Sequence, residues 1–462
     1  MKTLIRSACA IALLLPLTAT AKVSADEAQR LKDGGDLTPL GAERAGNADG
    51  SIPEWGGGLM SSEAPEKYEG FNTRLYNPWP DDEPIDVITN DNLAEYKALL
   101  SPGQIALFKK FDDFEMPLYQ TRRRNGAPQF VYDATFENAT KATLEANGEA
   151  LANAIIGVPF PIPGSGREVI WNHKTRFRGM SGSRWNVQAA VTSSGAYNLV
   201  KLYEDFKFNY SLKDATPDSL NNVLIYFLQE IREPARLAGQ FLLVHETMDQ
   251  VKEPRRAWLY NPGQRRLRRA PNVGYDNPGT GSDGLRTNDQ LDSFNGAMDR
   301  YTWKLVGKKE MIIPYNSYEL HSDEYEYDDI LGRGHINQEL TRYEKHRVWV
   351  VEAEVRDGTS HIYASRTFYV DEDTWTIVLQ DIYDKRGQLW RVHEQHVLAS
   401  YGVSKQFGEA SGLPGTSAEV AYDLLNNRYL AFAMNNEEDE AQEAKFGDDH
   451  FTPSNVKRMA RR

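Results

Sequence analysis

The alternation of hydrophobic and polar positions is clearest between residues 347 and 398. Four runs rich in β-branched and aromatic residues are separated there by polar turns at 357–358, 371–373 and 385–387. The first turn is Asp357-Gly358, and Asp-Gly between two strand-like runs favours a tight hairpin because glycine readily takes the positive φ that such a turn requires. Three consecutive hairpins predict an antiparallel meander of four strands.

The alternation within these strands also indicates how the sheet is buried. Trp349 and Val351 fall on one face of the first strand, whereas Glu352 and Glu354 fall on the other. The last strand carries bulky residues on both faces, which is typical of a sheet that is covered on both sides at least in part. The stretch therefore predicts a large twisted sheet and indicates no reaction.

The same criteria predict further elements along most of the chain. Strands are predicted at 115–122, 129–136, 184–192, 197–211, 222–232, 240–248, 257–260, 265–269, 301–306, 309–313 and 428–434. Helices are predicted at 24–32, at 91–111 with a break near Pro102, from the capping box at 165–168, and from a second capping box at 287–290. Open sheets of this width rarely stay flat. We therefore predict a mainly β fold of the α+β class, a large curled antiparallel sheet or unclosed barrel with short helices covering its concave face.

Composition divides the chain into segments. Residues 1–21 have a basic start, a short apolar core and a small-residue cleavage site, which is typical of a secretory signal peptide. No later stretch is apolar enough to span a bilayer, so we expect a soluble exported protein. The other predicted segments are an extended and helical wrapping segment at 22–112, a β domain at 113–435 and a charged C-terminal tail at 436–462.

Charge and cysteine content exclude several classes of function. The formal net charge is −13, which disfavours general binding to nucleic acids or to anionic membranes. Cys9 is the only cysteine and lies near the start of the apolar run, whereas a lipoprotein needs a cysteine just after that run. The mature chain is therefore expected to have no lipid anchor, disulfide or thiolate metal site.

Two motifs resemble a ligand-binding site and a metal site, but a structural role explains each of them better. Residues 279–284 spell G-x-G-x-x-G, but a dinucleotide site needs a strand before the motif and a helix directly after it, so a loop is favoured. On a strand, His393 points to one face while Glu394 and His396 point to the other, so cross-strand polar pairing is favoured over a metal site. We predict no catalytic residue, metal ligand or cofactor.

Several motifs together resemble one bacterial family. They are GNADGSIP at 46–53, PFPIP at 159–163, WNH at 171–173, YNPGQRR at 260–266, TNDQLDSFNG at 287–296, RDG at 356–358 and DKRGQLW at 384–390. The chain resembles the domain-of-unknown-function family often labelled "outer membrane lipoprotein-sorting protein", which is similar in fold to LolA and LolB. The resemblance implies an unclosed barrel with a hydrophobic cavity and no catalytic motif. Because the family's genes commonly neighbour exporters of the resistance-nodulation-division type and outer-membrane proteins, it implies these as partners.

We therefore expect a periplasmic binding protein or carrier for a hydrophobic small molecule or lipid, without catalysis. Aromatic residues occur on nearly every predicted strand, and a concave face that short helices leave unfilled suits an apolar ligand. Two alternatives stay open, a hydrolase acting on a lipid-like substrate and a structural subunit of an envelope transport assembly. A nucleophile within hydrogen-bond reach of a histidine would favour the hydrolase. A concave face without a cavity would favour the structural subunit.

Four residues are predicted to line this cavity, namely Trp171, Phe241, Trp258 and Trp349. Each lies on a strand or helix that is predicted to face inward. The assignment depends on register, because a shift of one residue moves every side chain of a strand to the opposite face.

A lid is predicted at the cavity mouth. The helix expected to begin near Asn288 would carry Leu291, Phe294 and Met298 on one face and close the cavity with them. The alternative is an ordinary helix that packs on the sheet. The two alternatives are not separated by the sequence.

Overall fold

The structure, a computed structural model, describes residues 23–270 and 273–461, so the signal peptide predicted at 1–21 lies outside the described residues. The described strands are β1 (Asp86–Ile88), β2 (Met116–Leu118), β3 (Thr143–Glu145), β4 (Ala150–Ala152), β5 (Ser181–Val191), β6 (Leu199–Phe208), β7 (Val223–Glu233), β8 (Phe241–Thr247), β9 (Arg256–Asn261), β10 (Arg266–Arg269), β11 (Tyr301–Pro314), β12 (Tyr343–Val355), β13 (Ser365–Asp371), β14 (Ile377–Tyr383), β15 (Leu389–Ser400), β16 (Val403–Ser404), β17 (Gly408–Glu409), β18 (Leu413–Asp423), β19 (Arg428–Met434) and β20 (Gln442–Glu443). The described α-helices are α1 (Ala25–Ala28), α2 (Leu93–Tyr96), α3 (Pro102–Lys110), α4 (Gln129–Lys141), α5 (Gly166–Thr175), α6 (Tyr327–Ile330) and α7 (Pro453–Met459).

Sixteen of the described strands form one sheet. Its order is β1-β2-β12-β13-β14-β15-β18-β19-β5-β6-β7-β8-β9-β10, with β11 beside β12 and β20 beside β5. Neighbouring strands are antiparallel except at one parallel bridge, where Tyr343 of β12 pairs with Leu118 of β2. Because β1 and β10 stand at opposite ends of this order, the sheet remains open within the described part of the chain.

The central predictions are confirmed. The meander predicted at 347–398 forms β12 to β15, which pair in chain order. The tight turn predicted at Asp357-Gly358 is wrong, because the longer loop 356–364 joins β12 to β13. The four strands predicted between residues 184 and 248 are β5 to β8, which also pair in chain order. The predicted fold class is confirmed as well, since the fold is mainly β with one large open sheet and a few short helices.

The strand predictions are wrong at two places. The run at 129–136 is not a strand but the first part of α4, whose buried positions include Val131, Thr135 and Asn138 at helical spacing. The runs at 301–306 and 309–313 are not two strands but one, β11, which bends at a bulge beside Gly307. Glycine fits this bulge because its φ there is 133°.

Serine caps start two of the helices, and one of them, at Ser165, is the predicted capping box. The Ser165 side chain accepts a hydrogen bond from the backbone of Glu168 and starts α5. The Ser101 side chain accepts one from the backbone of Gln104 and starts α3, with Pro102 in the first turn. Both caps satisfy amide groups that the first helical turn leaves without an internal partner.

Each face of the sheet has its own cover. We call the face that carries α5 the inner face and the face that carries α3 the outer face. On the inner face, Trp171 of α5 packs in a core with Phe368 of β13 and with Trp375. On the outer face, Phe108 of α3 packs in a second core with Val392 of β15. The helix α7 covers the outer face of β8 and β9 near the end of the chain.

A buried charged cluster joins the N-terminal segment to the turn after β13. The guanidinium of Arg123 donates through Nε and Nη2 to the two carboxylate oxygens of Asp373, at 2.9 and 2.8 Å. Nη2 also donates to the backbone carbonyl of Glu43 at 2.7 Å. Beside them, His346 Nε2 lies 3.0 Å from a carboxylate oxygen of Glu344. The cluster therefore holds the start of the chain against the central strands.

This cluster predicts a loss of stability at alkaline pH. Burial lowers the pKa of His346, but the carboxylates of Asp373 and Glu344, which lie 3.9 and 3.0 Å from its ring nitrogens, outweigh burial and raise it from 6.5 to about 9. A group whose pKa is higher in the folded state stabilises the fold below its unfolded pKa and loses that contribution as the pH rises through its folded pKa. Relative to His346→Gln, the native protein should therefore lose roughly 1.4 kcal/mol of unfolding free energy per pH unit between pH 6.5 and 9. Urea denaturation of both proteins across this range measures the difference, and parallel pH profiles would contradict the assignment.

Candidate functional site

An inner cavity of about 370 Å³ lies against the inner face of β5 to β8. The segment 68–75, residues of the loop 273–295 and residues 413–416 close its other sides. Its apolar wall consists of Phe71, Met180, Phe206, Phe208, Ile225, Phe227, Leu242, Val244, Leu291 and Phe407. The volume falls within the range of roughly 300–1,000 Å³ that is usual for small-molecule sites.

Strand alternation produces this wall. Phe206 of β6 pairs with Phe227 of β7, and Phe227 pairs with Val244 of β8, so the three side chains share the inner face. The next residue of β7, Leu228, points to the outer face, where it packs in the core that contains Phe451 and residues of α7. β7 and β8 are therefore apolar on both faces, and their inner face lines the cavity together with Phe206 and Phe208 of β6.

Asp292 forms a polar end of the cavity together with two arginines. Its carboxylate pairs with Arg176, which follows α5, and with Arg178, which precedes β5. Nη1 of Arg176 donates to Oδ2 of Asp292 at 3.0 Å. The backbone oxygen of Asp292 lies 2.9 Å from Nε2 of His173 in α5. One loop residue thus connects α5, β5 and the cavity.

The backbone at this point is strained. Asp292 and Ser293 have φ angles of 55° and 58°, a conformation that costs non-glycine residues about 1–3 kcal/mol each. Burial raises the pKa of Asp292, but the positive charges of Arg176 and Arg178 outweigh burial and hold the pKa well below its usual range. Burial, with the charge of Arg176, lowers the pKa of His173 to about 3, so its imidazole is neutral. These ion pairs offset the strain of the loop.

Further charged groups lie on the cavity wall. Nε of Arg184 donates to Glu204 at 2.8 Å. Arg255 pairs with Glu246. Arg286 also faces the cavity, close to the ring of an aromatic residue of β19. The cavity therefore combines an apolar wall from β6 to β8 with several guanidinium groups.

The four predicted lining residues lie outside the wall of this cavity. Trp171 and Trp349 pack in the core around α5. Phe241 and Trp258 pack on the outer face with the core that α7 covers. The reason is strand parity, because Leu242 lines the cavity and its neighbour Phe241 therefore points to the opposite face.

The predicted lid helix is wrong as a helix. The chain forms a single 3-10 turn at Asn288–Gln290 and a second one at Met298–Arg300, with an irregular loop between them. Leu291 lines the inner cavity, whereas Phe294 and Met298 are buried in the core beside α5. The left-handed backbone just after Leu291 prevents a helix from continuing there.

The sequence analysis missed two parts of the site. The first is the set of wall arginines, Arg178, Arg184 and Arg286. They could not be predicted because single basic residues on mainly apolar strands or in loops produce no periodic pattern. Arg286 directly precedes the motif at 287–296, so that motif could have indicated it. The second is the segment 68–75, which carries aromatic side chains to the cavity; the ring of Phe71, for example, lies 6.0 Å from that of Phe407.

Two serines lie close enough to a histidine to test the hydrolase alternative. Ser317 is 3.2 Å from His396, but both side chains are buried outside the cavity wall and the hydroxyl of Ser317 donates to the backbone carbonyl of Arg342.

Ser293 and His393 form the second pair. Oγ of Ser293 is 3.5 Å from Nε2 of His393. The same Nε2 lies 3.1 Å from Glu419, while the side-chain amide of Gln290 donates to Nδ1 at 2.9 Å. The imidazole proton therefore sits on Nε2 and is donated to the carboxylate, so no imidazole lone pair faces the serine. Ser293 is also fully buried and donates to Gln395 at 2.9 Å. The group fixes the loop to β15 and does not form an activated nucleophile.

The neighbouring Glu394 and His396 lie on the outer face of β15, opposite to His393, as alternation predicts. The hydroxyl of Tyr343 donates to Glu394 at 3.4 Å, and burial raises the pKa of Glu394 to about 8. Nδ1 of His396 lies 3.2 Å from the hydroxyl of Ser317. All of these side chains are buried, which fits polar pairing within the sheet.

Another buried group has the spacing of metal ligands. Nitrogen and oxygen atoms of His346, Asp371 and Asp373 lie within 4.8 Å of one another. Arg123 already donates to both carboxylate oxygens of Asp373, and the hydroxyl of Tyr315 donates to Asp371 at 3.1 Å. Protonated His346 adds a positive charge at neutral pH. These side chains neutralise one another, so we assign them to the structural cluster at the N-terminal segment.

Comparison with known proteins decides the family. The family model described as "Protein of unknown function (DUF1329)" matches residues 87–457. The chain belongs to this family. Uncharacterized protein PA3922 of Pseudomonas aeruginosa PAO1 is 51% identical to this DUF1329 chain over 444 residues, which cover 96% of this chain and 95% of the relative. The family resemblance predicted from the motifs is confirmed.

Three solved structures are similar to this DUF1329 protein over part of its chain. A domain from Vibrio parahaemolyticus, named as an outer membrane lipoprotein-sorting protein, has a TM-score of 0.41 and 12% identity, and the match covers 63% of this chain and 97% of that domain. A DUF1329 family protein from Desulfovibrio piger has a TM-score of 0.39 and 13% identity, with coverages of 60% and 91%. A LolA superfamily protein from Nitrosomonas europaea has a TM-score of 0.37 and 14% identity, with coverages of 63% and 99%. Among the helices described for this chain, none has the length and apolarity needed to cross a membrane.

The geometry at Asp292 predicts a large effect of one substitution. In Asp292→Asn, the buried guanidinium groups of Arg176 and Arg178 lose their shared counter-charge, which should cost about 3–5 kcal/mol of unfolding free energy. Urea denaturation at pH 7 measures the loss. Asp214→Asn, on an exposed turn, is the matched control and should stay within about 0.5 kcal/mol of the native protein. Equal stability of the two variants would show that the ion pairs do not hold the loop.

Proposed function

We propose that this DUF1329 protein binds a hydrophobic, lipid-like molecule in the inner cavity and carries it within the periplasm without changing it chemically. The observation that carries the proposal is the apolar wall of three adjacent strands, β6 to β8, which faces a cavity large enough for a small molecule. Burial of apolar surface contributes about 25 cal/mol of favourable free energy per Å², and the open cavity wall lacks this contribution. A ligand with an alkyl chain recovers this free energy.

Burial of an alkyl chain in the cavity is sufficient for micromolar affinity. Each buried methylene group contributes about 0.8 kcal/mol. A chain of about fifteen methylene groups thus contributes about 12 kcal/mol, against an association cost of at least about 4 kcal/mol. The remaining ~8 kcal/mol corresponds to micromolar binding. Apolar contact with the cavity wall is therefore enough for a carrier.

A carrier is favoured over a hydrolase by the polar side chains near the cavity. Ser293 and His393 come within 3.5 Å of each other, yet the imidazole proton is committed to Glu419 and the serine is fully buried. A nucleophile has to reach its substrate and needs a base with a free lone pair. Neither condition is met at this pair.

The sequence supports a cellular location and a set of partners for this protein. The predicted signal peptide at 1–21 supports export to the periplasm. The resemblance to the lipoprotein-sorting family supports partners in the envelope, an exporter of the resistance-nodulation-division type and an outer-membrane protein. We propose that the ligand enters beside Tyr68 in the segment 68–75, where the ring of Tyr68 meets that of Tyr401 at 4.9 Å. The other end of the segment is held by hydrogen bonds from Arg74 to Asn435 at 2.9 and 3.0 Å.

Filling the cavity should abolish binding without unfolding the protein. Ile225 is only partly buried and faces the cavity, so Ile225→Trp places an indole in free space. The dye N-phenyl-1-naphthylamine should bind the native protein with one-to-one stoichiometry and the variant at least about 10-fold more weakly. Fluorescence titration measures the affinity, and the unfolding temperature of the variant should stay within about 3 °C of the native value.

The control places the same indole elsewhere. Val306 on β11 is 52% exposed, and Val306→Trp should bind the dye like the native protein. Native-like dye binding by Ile225→Trp would place the dye outside the inner cavity. Failure of the native protein to bind any apolar probe would remove the basis of the carrier function.

A further inference from the structure

Arg286 is a buried cation that makes no ion pair with the carboxylates of the described residues. It is 3% exposed and lies in the wall of the inner cavity. Its Nη1 reaches only the backbone carbonyl of Thr287, at 3.4 Å, and its Nε has no hydrogen-bond partner among the described residues. Burial of an unpaired charge is costly, and burial accordingly lowers the pKa of Arg286. We expect a buried guanidinium group without an ion-pair partner to bind an anion that is not part of this chain.

Two further arginines offer N–H groups to the same cavity. Arg178 lies over the ring of Phe208, 4.8 Å from its centroid, and within the described residues its Nε has no hydrogen-bond partner. Arg184 is surrounded by protein, yet its side chain keeps 38% of its accessible surface because it faces the cavity. Arg178, Arg184 and Arg286 line the same cavity, together with the carboxylate of Glu419.

The charges of the wall balance in number, but one guanidinium group has no ion-pair partner. The groups that line the cavity or pair directly with its lining are six guanidinium groups and six carboxylates, namely Arg74, Arg176, Arg178, Arg184, Arg255, Arg286, Glu204, Glu246, Asp292, Glu419, Glu440 and Glu443. Glu440 pairs with Arg74, and Glu443 accepts hydrogen bonds from Ser404 and from the backbone of Lys405. Among these guanidinium groups, only that of Arg286 makes no ion pair within the described residues, and an unpaired buried cation favours a negatively charged ligand.

We propose that the ligand of the inner cavity is an amphiphile with an anionic head group, a carboxylate or a phosphate, which Arg178, Arg184 and Arg286 bind while the alkyl chain lies against β6 to β8. The inference rests on the proposed function, since it names the chemical class of that ligand. Guanidinium groups match carboxylate and phosphate oxygens with paired N–H donors. An uncharged head group would leave the cationic N–H groups without an acceptor, and a cationic head group would be repelled.

Three amphiphiles with the same tail test the proposal by displacement of N-phenyl-1-naphthylamine. Tetradecanoate and tetradecyl phosphate should bind the native protein at least about 10-fold more tightly than tetradecanol. Arg286→Gln should weaken binding of both anionic compounds about 10-fold or more and change binding of tetradecanol by less than about twofold. Arg268→Gln, on the exposed strand β10, is the matched control and should leave all three affinities unchanged.

The outcomes separate this inference from the proposed function. Equal affinity of the native protein for tetradecanoate and tetradecanol would overturn the anionic class and leave the carrier function standing. Binding of none of the three would overturn both. Inorganic phosphate alone should not displace the dye at the same concentrations, and displacement by it would show a site for a free anion instead. If circular dichroism shows that Arg286→Gln does not fold, Arg184→Gln carries the same test, because its side chain is partly exposed to the cavity.

Discussion

The carboxylate of Asp292 binds two arginines at once, and the inner side of the molecule depends on this contact. Arg176 ends the helix that packs on the central strands, and Arg178 leads into the first strand of the cavity wall. The loop that carries Asp292 also supplies Leu291 to the cavity and Phe294 to the core. A strained backbone is tolerated there because the surrounding ion pairs and packing fix it. The core and the candidate site are thus coupled through one side chain.

The second constraint is the unequal covering of a wide sheet. Helix α5 and its core fill the inner face over β12 and β13, whereas α7 covers the outer face of β8 and β9. The inner face of β6 to β8 is covered by loops and by the segment 68–75, which do not fill it. Strands that are apolar on both faces then border a cavity, because the helices of the fold are too few and too short to pack against all of the sheet.

Two buried polar networks hold parts of the fold together. His393, Glu419 and Gln290 satisfy one another and hold the loop to β15, while His346, Asp373 and Arg123 hold the N-terminal segment. Such networks stabilise a fold when every member has a partner. Arg286 differs from them, since within the described residues its guanidinium lies at the cavity without a counter-charge. A ligand with an anionic head group would complete the pairing that the chain itself leaves open.

Several elements of the fold could be predicted from the sequence because local chemistry controls them. The turn at Asp357-Gly358 and the alternation around Trp349 indicated the central meander, and the capping serine Ser165 indicated the start of α5. The family resemblance was also readable from short motifs. Each of these depends on residues close together in the chain.

Only the tertiary structure decided which apolar residues face the cavity. Phe241 and Leu242 are adjacent and both apolar, yet one packs under α7 and the other lines the cavity. Alternation cannot separate them, because a strand that is buried on both faces shows no polar side. Likewise, Arg176, Arg178 and Asp292 meet through an ion pair across more than a hundred residues, and no local pattern encodes such a contact. Long-range packing sets which face is filled, and so it decided where the cavity and its charges lie.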